Sequence, residues 1–198
     1  MGLSLDFEDG QTPLDEDEKQ GLRIKFITTR GELDEFEQQN IEQAVLWTMG
    51  RPLDADKIFS EAFIKSLHKR MYGDVWAWAG EFRRTNKNIG VDKWQIAGSL
   101  KALLDDALFW LANGTNSPDE FAIYFKHRLV SIHCFANGNG RHSRLMADII
   151  IEKLFKKPVY SWGASNLVKK GNARALYLAA LREADRGNME PLIQFSKG

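Results

Sequence analysis

Hydrophobic residues recur along this chain at spacings of three and four positions, with polar residues between them. This spacing is typical of helices that bury one face and expose the other. Glycine, asparagine or proline follows several of these segments, where a helix would end. The pattern predicts six or seven helices, at about residues 32–49, 58–72, 94–113, 118–133, 141–157 and 173–184, with a short helical turn after Pro191. We therefore predict an all-α fold.

Residues 74–93 interrupt this helical period. They contain tryptophans and glycines at irregular intervals and a basic cluster, Arg83, Arg84, Lys87 and Lys93. Glycine permits the backbone conformations that tight turns require. The segment is predicted to be a loop or a short hairpin.

Length and charge distribution predict the domain organisation. With 198 residues, the chain is long enough for one domain with a core of its own. Residues 1–20 are acidic and poor in hydrophobic side chains, so we expect an extended or poorly packed arm there. Residues 21–198 are predicted to form a single domain.

The composition argues against several classes of function. The 27 Lys and Arg residues balance 27 Asp and Glu residues, so no DNA partner is expected. No apolar run reaches the roughly 18 residues that span a membrane, and no signal peptide is evident. The single cysteine, Cys134, cannot form an intramolecular disulfide. We expect a cytoplasmic protein with no membrane partner.

The segment from Ile132 to Arg144 carries the densest chemistry, with the sequence Ile-His-Cys-Phe-Ala-Asn-Gly-Asn-Gly-Arg-His-Ser-Arg. Gly138 and Gly140 allow a sharp turn and close approach by an anion, and Asn139 tolerates a left-handed backbone. Successive N–H groups at a helix N-terminus bind anions. The segment is predicted to be a phosphate site, and a plain turn between helices is the alternative.

His133 is the candidate general base, because an unperturbed histidine has a pKa near the working pH of most enzymes. Its place at the end of a helix is expected to raise that pKa. A histidine that caps carbonyls or packs in the core is the alternative. Cys134 is expected to be a small buried hydrophobe, since no separate base for a thiol nucleophile is evident.

Arg141 and Arg144 are three residues apart, which places both on one face of the first helical turn after the glycines. Two positive charges at a helix N-terminus oppose the helix dipole. Bound polyphosphate would neutralise them, and guanidinium matches phosphate oxygens with paired hydrogen bonds. Asn137 is the candidate metal residue, although an amide offers Mg²⁺ one neutral oxygen and is a weaker ligand than a carboxylate.

Taken together, these residues resemble the core motif of the Fic family, His-x-Phe-x-Asp/Glu-Gly-Asn-Gly-Arg-x-x-Arg. The matching positions are His133, Phe135, Gly138, Asn139, Gly140, Arg141 and Arg144. A second match lies upstream, at Leu67, His68, Gly73, Trp78, Ala79, Gly80 and Arg83. The resemblance covers roughly residues 55–195. It implies a Fic-type helical bundle core with a short β-hairpin flap.

The resemblance also implies an activity, that of a protein adenylyltransferase. Such an enzyme transfers AMP from ATP to a Ser, Thr or Tyr hydroxyl of a target protein, with Mg²⁺, and releases pyrophosphate. His133 would deprotonate the hydroxyl, and Phe135 would anchor the loop in the core. The Gly138-Asn139-Gly140 nest and Arg141 would hold the α- and β-phosphates, with Arg144 on the β/γ side.

In this family the flap pairs with an extended segment of the target, which is a form of strand addition. The counterpart here runs from Thr85 to Lys93, with Ile89 and Val91 as candidate contacts. A solvated loop without a partner is the alternative. The sequence leaves the oligomeric state open, including a homodimer.

The chain departs from the family pattern at two positions. Asn137 replaces the acidic metal ligand, which puts Mg²⁺ affinity in question, and Cys134 replaces a common proline. Family members are often inhibited by a Ser/Thr-x-x-x-Glu-Gly/Asn helix whose glutamate pairs with the second motif arginine. Thr28 and Glu32 match that pattern only in part. Glu32 is a candidate inhibitor, and an ordinary threonine cap with an acidic first turn is the alternative.

Other functions stay open at this point. Asn137 favours a regulatory module that binds nucleotide with little turnover. Transfer or removal of another nucleotide-derived group is a further alternative, although the intact nest argues against the phosphoryl transfer of the Doc relatives. A purely structural helical domain is the remaining one.

Overall fold

The protein is described here by a computed structural model that covers residues 14–163 and 172–198. Its helices are α1 (Glu16–Gln20), α2 (Arg30–Met49), α3 (Ala55–Ile58), α4 (Glu61–Tyr72), α5 (Ile96–Asn113), α6 (Pro118–Ile132), α7 (Asn139–Lys153), α8 (Asn172–Asp185) and α9 (Glu190–Lys197). No β-strand lies within these two ranges. The all-α prediction is confirmed for them. Within the same residues, none of the helices is long and apolar enough to cross a membrane.

Local sequence signals set several helix ends. Ser117 and Glu120 form a reciprocal capping box at the start of α6, with Pro118 at the first helical position. α5 ends where Gly114 adopts a left-handed conformation with φ of 58°. Both ends agree with the prediction from sequence.

The core supports the connection between α6 and α7. α6 packs along α7 and α5, while α4 packs against α2 and α7. Side chains from α4, α6 and α7 in this core are fully buried, among them Ile64, Leu67, Phe125 and Ile150. Because close-packed interiors resist deformation, the short turn that joins α6 to α7 is held on a rigid base.

Residues 85–93, which we call the flap loop, form a loop, which is one of the two structures predicted for this segment. The hairpin implied by the family resemblance is not found, since the described residues contain no strand there. Arg83 donates hydrogen bonds to the carbonyls of Thr85 and Val91. A hairpin ladder would need such backbone groups for cross-strand bonds, so the segment forms an irregular loop around one guanidinium.

The acidic N-terminal segment is described only in part. Asp6, Glu8 and Asp9 of the expected arm lie outside the described residues. From residue 14 onward the chain forms the short helix α1 against the flap loop. Asp15 Oδ2 and Glu18 Oε2 lie 2.9 and 2.5 Å from the ammonium of Lys87.

Candidate functional site

The turn between α6 and α7, residues 133–138, is closed by side chains of its own segment. Asn139 Oδ1 accepts a hydrogen bond from the Phe135 N–H at 2.9 Å, and Asn139 Nδ2 donates to the Phe135 carbonyl at 2.8 Å. The Phe135 ring is fully buried and stacks on His68, with 3.7 Å between ring centroids. Each end of the Phe135 backbone is therefore paired, and the ring fixes the turn to α4.

The fold requires glycine at one of the two glycine positions of the motif, 138, and not at the other, 140. Gly138 has φ of 78°, and a Cβ there would lie 2.5 Å from the ring of the buried Tyr72. Only glycine fits that position without strain. A Cβ on Gly140 would meet no heavy atom within 4 Å. The fold therefore does not require glycine at 140, and space in front of the backbone remains there for a ligand.

His68 connects the upstream family match to this turn. Its Nδ1 accepts from the Gly80 N–H at 3.0 Å, and its Nε2 donates to the Asn137 carbonyl at 3.0 Å. Those partners assign the proton to Nε2. Burial lowers the pKa of His68 well below its usual value. The neutral ring holds the α6–α7 turn to the segment around Gly80. Sequence analysis did not assign this role to His68.

His133 lies at the end of α6 in a left-handed conformation with φ of 57°, which is uncommon for a residue with a Cβ. It is 4% exposed. Burial, followed by the charges of Arg83 and Lys87, lowers its pKa to about 4. The expectation that the helix end raises this pKa is therefore wrong, because desolvation outweighs the dipole. At neutral pH the imidazole is uncharged and able to accept a proton.

Arg141 meets a partner that sequence analysis missed. Its Nη2 donates to Glu37 Oε2 on α2 at 2.6 Å, while Glu37 Oε1 accepts from the Trp76 indole at 2.7 Å. Glu37 is 3% exposed, and the Arg141 guanidinium lies over the Tyr72 ring, 5.1 Å from its centroid. A glutamate on the mostly polar α2 gives no local signal of such a pair, since the residues are 104 positions apart.

Arg144 lies one turn after Arg141 on α7, in the second turn rather than the expected first one, and has different surroundings. Its guanidinium lies 5.4 Å from the ring centroid of Tyr177 on α8. The hydroxyl of the same ring accepts from the buried Lys126 ammonium at 2.7 Å. Burial, with the charge of Arg144, lowers the pKa of Lys126 well below its usual value. The two motif arginines therefore have separate supports, from α2 and from α8.

Asn137 offers a metal ion only one neutral oxygen. Its Oδ1 accepts from the Gly138 N–H at 2.6 Å. Residues 14–163 and 172–198 contain no group of three or more His, Cys, Asp and Glu side chains that could hold a metal ion. Mg²⁺ is commonly bound through one or two carboxylates together with substrate phosphates. These residues therefore fit Mg²⁺ only as a single amide ligand beside the phosphates of a nucleotide.

Glu32 caps a helix. Its Oε2 accepts from the N–H groups of Thr28 at 2.9 Å and Thr29 at 3.0 Å, and Thr29 Oγ1 accepts from the Glu32 N–H. These hydrogen bonds lower the pKa of Glu32, which is exposed. The interpretation as an ordinary threonine cap is confirmed, because the carboxylate is engaged at the start of α2. An inhibitory role of Glu32 stays a prediction.

The flap loop lies directly over His133. A Cβ on Gly90 would be 2.6 Å from the His133 Cβ, and the Val91 N–H donates to the Ile132 carbonyl at 3.3 Å. Ile89 is about half exposed. The loop therefore limits access to the imidazole and presents an apolar side chain to solvent beside it.

Comparisons with known proteins agree with this geometry. Residues 58–151 match the model of the Fic/DOC family. These residues are a Fic/DOC family domain. The match includes all seven motif positions from His133 to Arg144 and the upstream residues around His68.

Two curated relatives and two solved structures illustrate the likeness. The chain is 32% identical over 136 residues to the protein adenylyltransferase Fic of Drosophila persimilis, and to the same degree to that of Drosophila grimshawi. The aligned residues make up 67% of this chain in each case. It spans about a quarter of the length of these relatives, 25% and 26%.

Among solved structures, Fic-1 (residues 134–508) from C. elegans is 25% identical, with a TM-score of 0.66 over 80% of this chain and 46% of that chain. BepC from Bartonella tribocorum, solved with bound AMPPNP, has a TM-score of 0.69 over 92% of this chain and 97% of its own. At 18% identity the likeness to BepC shows the fold alone.

Proposed function

We propose that this protein is a protein adenylyltransferase, which transfers AMP from ATP to a Ser, Thr or Tyr hydroxyl of a target protein. One observation carries the proposal. A neutral, buried His133 stands at one end of a six-residue turn, and the Gly138-Asn139-Gly140 backbone opens α7 at the other end. The curated relatives bear the name of this activity.

In the proposed reaction, His133 accepts the proton of the target hydroxyl. The hydroxyl oxygen forms a bond to the α-phosphorus of ATP, and the bond between that phosphorus and the bridging oxygen of pyrophosphate breaks. The products are an AMP phosphodiester on the target and pyrophosphate. A base that is uncharged at neutral pH suits this step, since no proton has to be removed from it first.

The phosphates would be held by the turn and by the start of α7. The N–H groups of Asn139 and Gly140 lie at a helix N-terminus, where the dipole favours anions, whereas the Gly138 N–H donates to Asn137 Oδ1. Arg141 would contact the α- and β-phosphates, and Arg144 would lie on the β/γ side. Mg²⁺ would arrive with the ATP, with Asn137 as its protein ligand, and would neutralise phosphate charge. No other step depends on the metal.

A target protein would dock at the flap loop. Arg83 occupies the carbonyls of Thr85 and Val91, so backbone pairing with a target segment would use the residues between them. Ile89 lies in that interval and is exposed. We propose that an extended target segment lies along residues 86–90 with an apolar contact to Ile89.

Incubation of the protein with α-labelled ATP and cell lysate tests the proposal. Wild-type protein should label a target, and His133→Ala should abolish the label. The matched control is His127→Ala, because His127 pairs with Asp185 on the outer face of α6. Label that survives in His133→Ala, or that disappears equally in His127→Ala, contradicts the role of His133.

The second candidate is a module that binds nucleotide with little turnover, and the amide at Asn137 favours it. Calorimetry with ATP separates the two functions. Binding that is independent of Mg²⁺ and produces no pyrophosphate supports the module, whereas Mg²⁺-dependent pyrophosphate release supports the enzyme. Asn137→Asp, compared at equal Mg²⁺, should raise the rate if the amide limits metal binding.

A further inference from the structure

One buried guanidinium joins the flap loop to the backbone of His133. Arg83 Nε donates to the His133 carbonyl at 2.6 Å, Nη1 donates to the Thr85 carbonyl at 2.8 Å, and Nη2 donates to the Val91 carbonyl. Arg83 is 4% exposed. We propose that Arg83 is a positioning residue for the transfer reaction, setting the flap loop and the general base at a fixed distance from each other.

The three acceptors come from separate parts of the chain. Thr85 and Val91 stand near the two ends of the flap loop, and His133 ends α6. A planar guanidinium carries five N–H donors in a fixed fork, so it can bond three carbonyls at once. A lysine has a single nitrogen on a flexible stem and cannot reproduce that fork. This one side chain joins both ends of the loop to His133, in addition to the bonds of Asn86 with Asp92 and Lys93 inside the loop.

The bond from Arg83 to the His133 carbonyl matters because His133 has an unfavourable backbone conformation. A left-handed conformation in a residue with a Cβ is costly and persists only where the surroundings enforce it. Arg83 Nε holds the carbonyl of that residue, and the Arg83 N–H donates to the next carbonyl, of Cys134, at 2.9 Å. Side chain and backbone of Arg83 thus bind two successive peptide groups at the base.

Charge adds a second, separable effect. Two positive charges act on the His133 imidazole, that of the Arg83 guanidinium and that of the Lys87 ammonium. Lys87 is in turn paired with Asp15 and Glu18 of α1. Positive charge near the ring disfavours the protonated form. Removal of the Arg83 charge should therefore raise the pKa of His133, so that the imidazole becomes protonated at a higher pH. Exchange of Arg83 for lysine keeps the charge and should leave that pKa unchanged.

The inference rests on the proposed function, and two variants with one control test it. Arg83→Lys keeps the charge without the fork, and Arg83→Gln removes both. Arg84→Gln is the matched control, because Arg84 is exposed and pairs with the exposed Glu81. Each protein is assayed for kcat and KM of AMP transfer across pH, for ATP binding by calorimetry, and for His133 protonation by NMR.

We expect both Arg83 variants to lose about 100-fold in kcat, with ATP affinity within about twofold of wild type. The acid limb of the rate should move up by about one pH unit in Arg83→Gln and stay in place in Arg83→Lys. Amide hydrogen exchange across residues 85–93 should accelerate in both variants. Arg84→Gln should match wild type in every assay.

Three results would overturn the inference. They are an unchanged kcat in folded variants, a parallel loss of kcat and ATP affinity, and unfolding of both Arg83 variants, which would make Arg83 a core residue. Wild-type protein that transfers no AMP refutes the proposed function instead. The NMR titration and hydrogen exchange still test the link between Arg83, the flap loop and His133 in that case.

Discussion

The two loops that meet at His133 differ in what holds them. In the α6–α7 turn, Asn139 bonds both backbone groups of Phe135, and Gly138 fits under the buried ring of Tyr72. In the flap loop, Asn86 bonds Asp92 and Lys93, and Arg83 before the loop and the carboxylates of α1 on Lys87 hold it to its surroundings. The proposed phosphate site needs a fixed backbone, whereas the proposed docking loop would have to admit a partner.

The largest effect should come from alanine at Gly138, compared with the same substitution at Gly90 of the flap loop. Gly138→Ala places a Cβ against the fixed Tyr72 ring at a left-handed φ, and should lower the free energy of unfolding by about 3 kcal/mol. Gly90→Ala meets His133, but the loop can lift, so we expect about 1 to 2 kcal/mol. Urea unfolding measures both values.

The control for this pair is Gly98→Ala, on α5 with open space around its Cβ. It should stabilise the protein by about 1 kcal/mol, because alanine favours helix over glycine. Equal losses at Gly138 and Gly90 would contradict the distinction between a rigid turn and a loop that can lift.

A smaller effect is expected at the distant support of the turn. Glu37→Ala leaves the Trp76 indole and the Arg141 guanidinium without their carboxylate, and should cost about 2 to 3 kcal/mol of unfolding free energy. Glu35→Ala, at an exposed position on the same helix, should change it by less than about 0.5 kcal/mol. A neutral result at Glu37 would show that the pair does not hold α2 to α7.

The smallest change in stability is expected at the outside support of the flap loop. Lys87→Met breaks contacts to Asp15 and Glu18 and should cost about 1 kcal/mol. Hydrogen exchange should nevertheless accelerate across residues 85–93 and stay unchanged across residues 133–138. Lys101→Met removes an exposed pair on α5 and is the control. Acceleration in both loops would mean that they are one unit.

The same contrast explains which parts could be predicted from sequence. The helical spacing and the glycine, asparagine and proline residues that follow it are local signals, and they predicted the end of α5 at residue 113 and the start of α6 at residue 118. The turn around Gly138 was predicted from its own glycines, and the bonds of Asn139 to Phe135 that close it join residues four apart; the contact with Tyr72, 66 positions away, was not predicted. The residue contacts that sequence analysis missed, Arg141 with Glu37 and Arg83 with His133, join positions 104 and 50 apart and leave no periodic trace.

The pKa of His133 was mispredicted for a related reason. The helix end was visible in the sequence, and its dipole would raise the pKa. Burial lowers the value to about 4, and the charges of Arg83 and Lys87 add to that effect. Tertiary packing outweighed a local effect here, whereas the hairpin at residues 85–93 was expected from the family resemblance alone.

The central claim is that the α6–α7 turn directs attack at the α-phosphorus of ATP. Parallel reactions with ATP labelled at the α- or the γ-phosphate, using wild-type protein and a target-containing lysate, test it most directly. We predict protein label from α-labelled ATP alone, with the γ-label recovered in pyrophosphate. Protein label from γ-labelled ATP would show phosphoryl transfer and contradict the account, and bound ATP with no label from either would support the nucleotide-binding module instead.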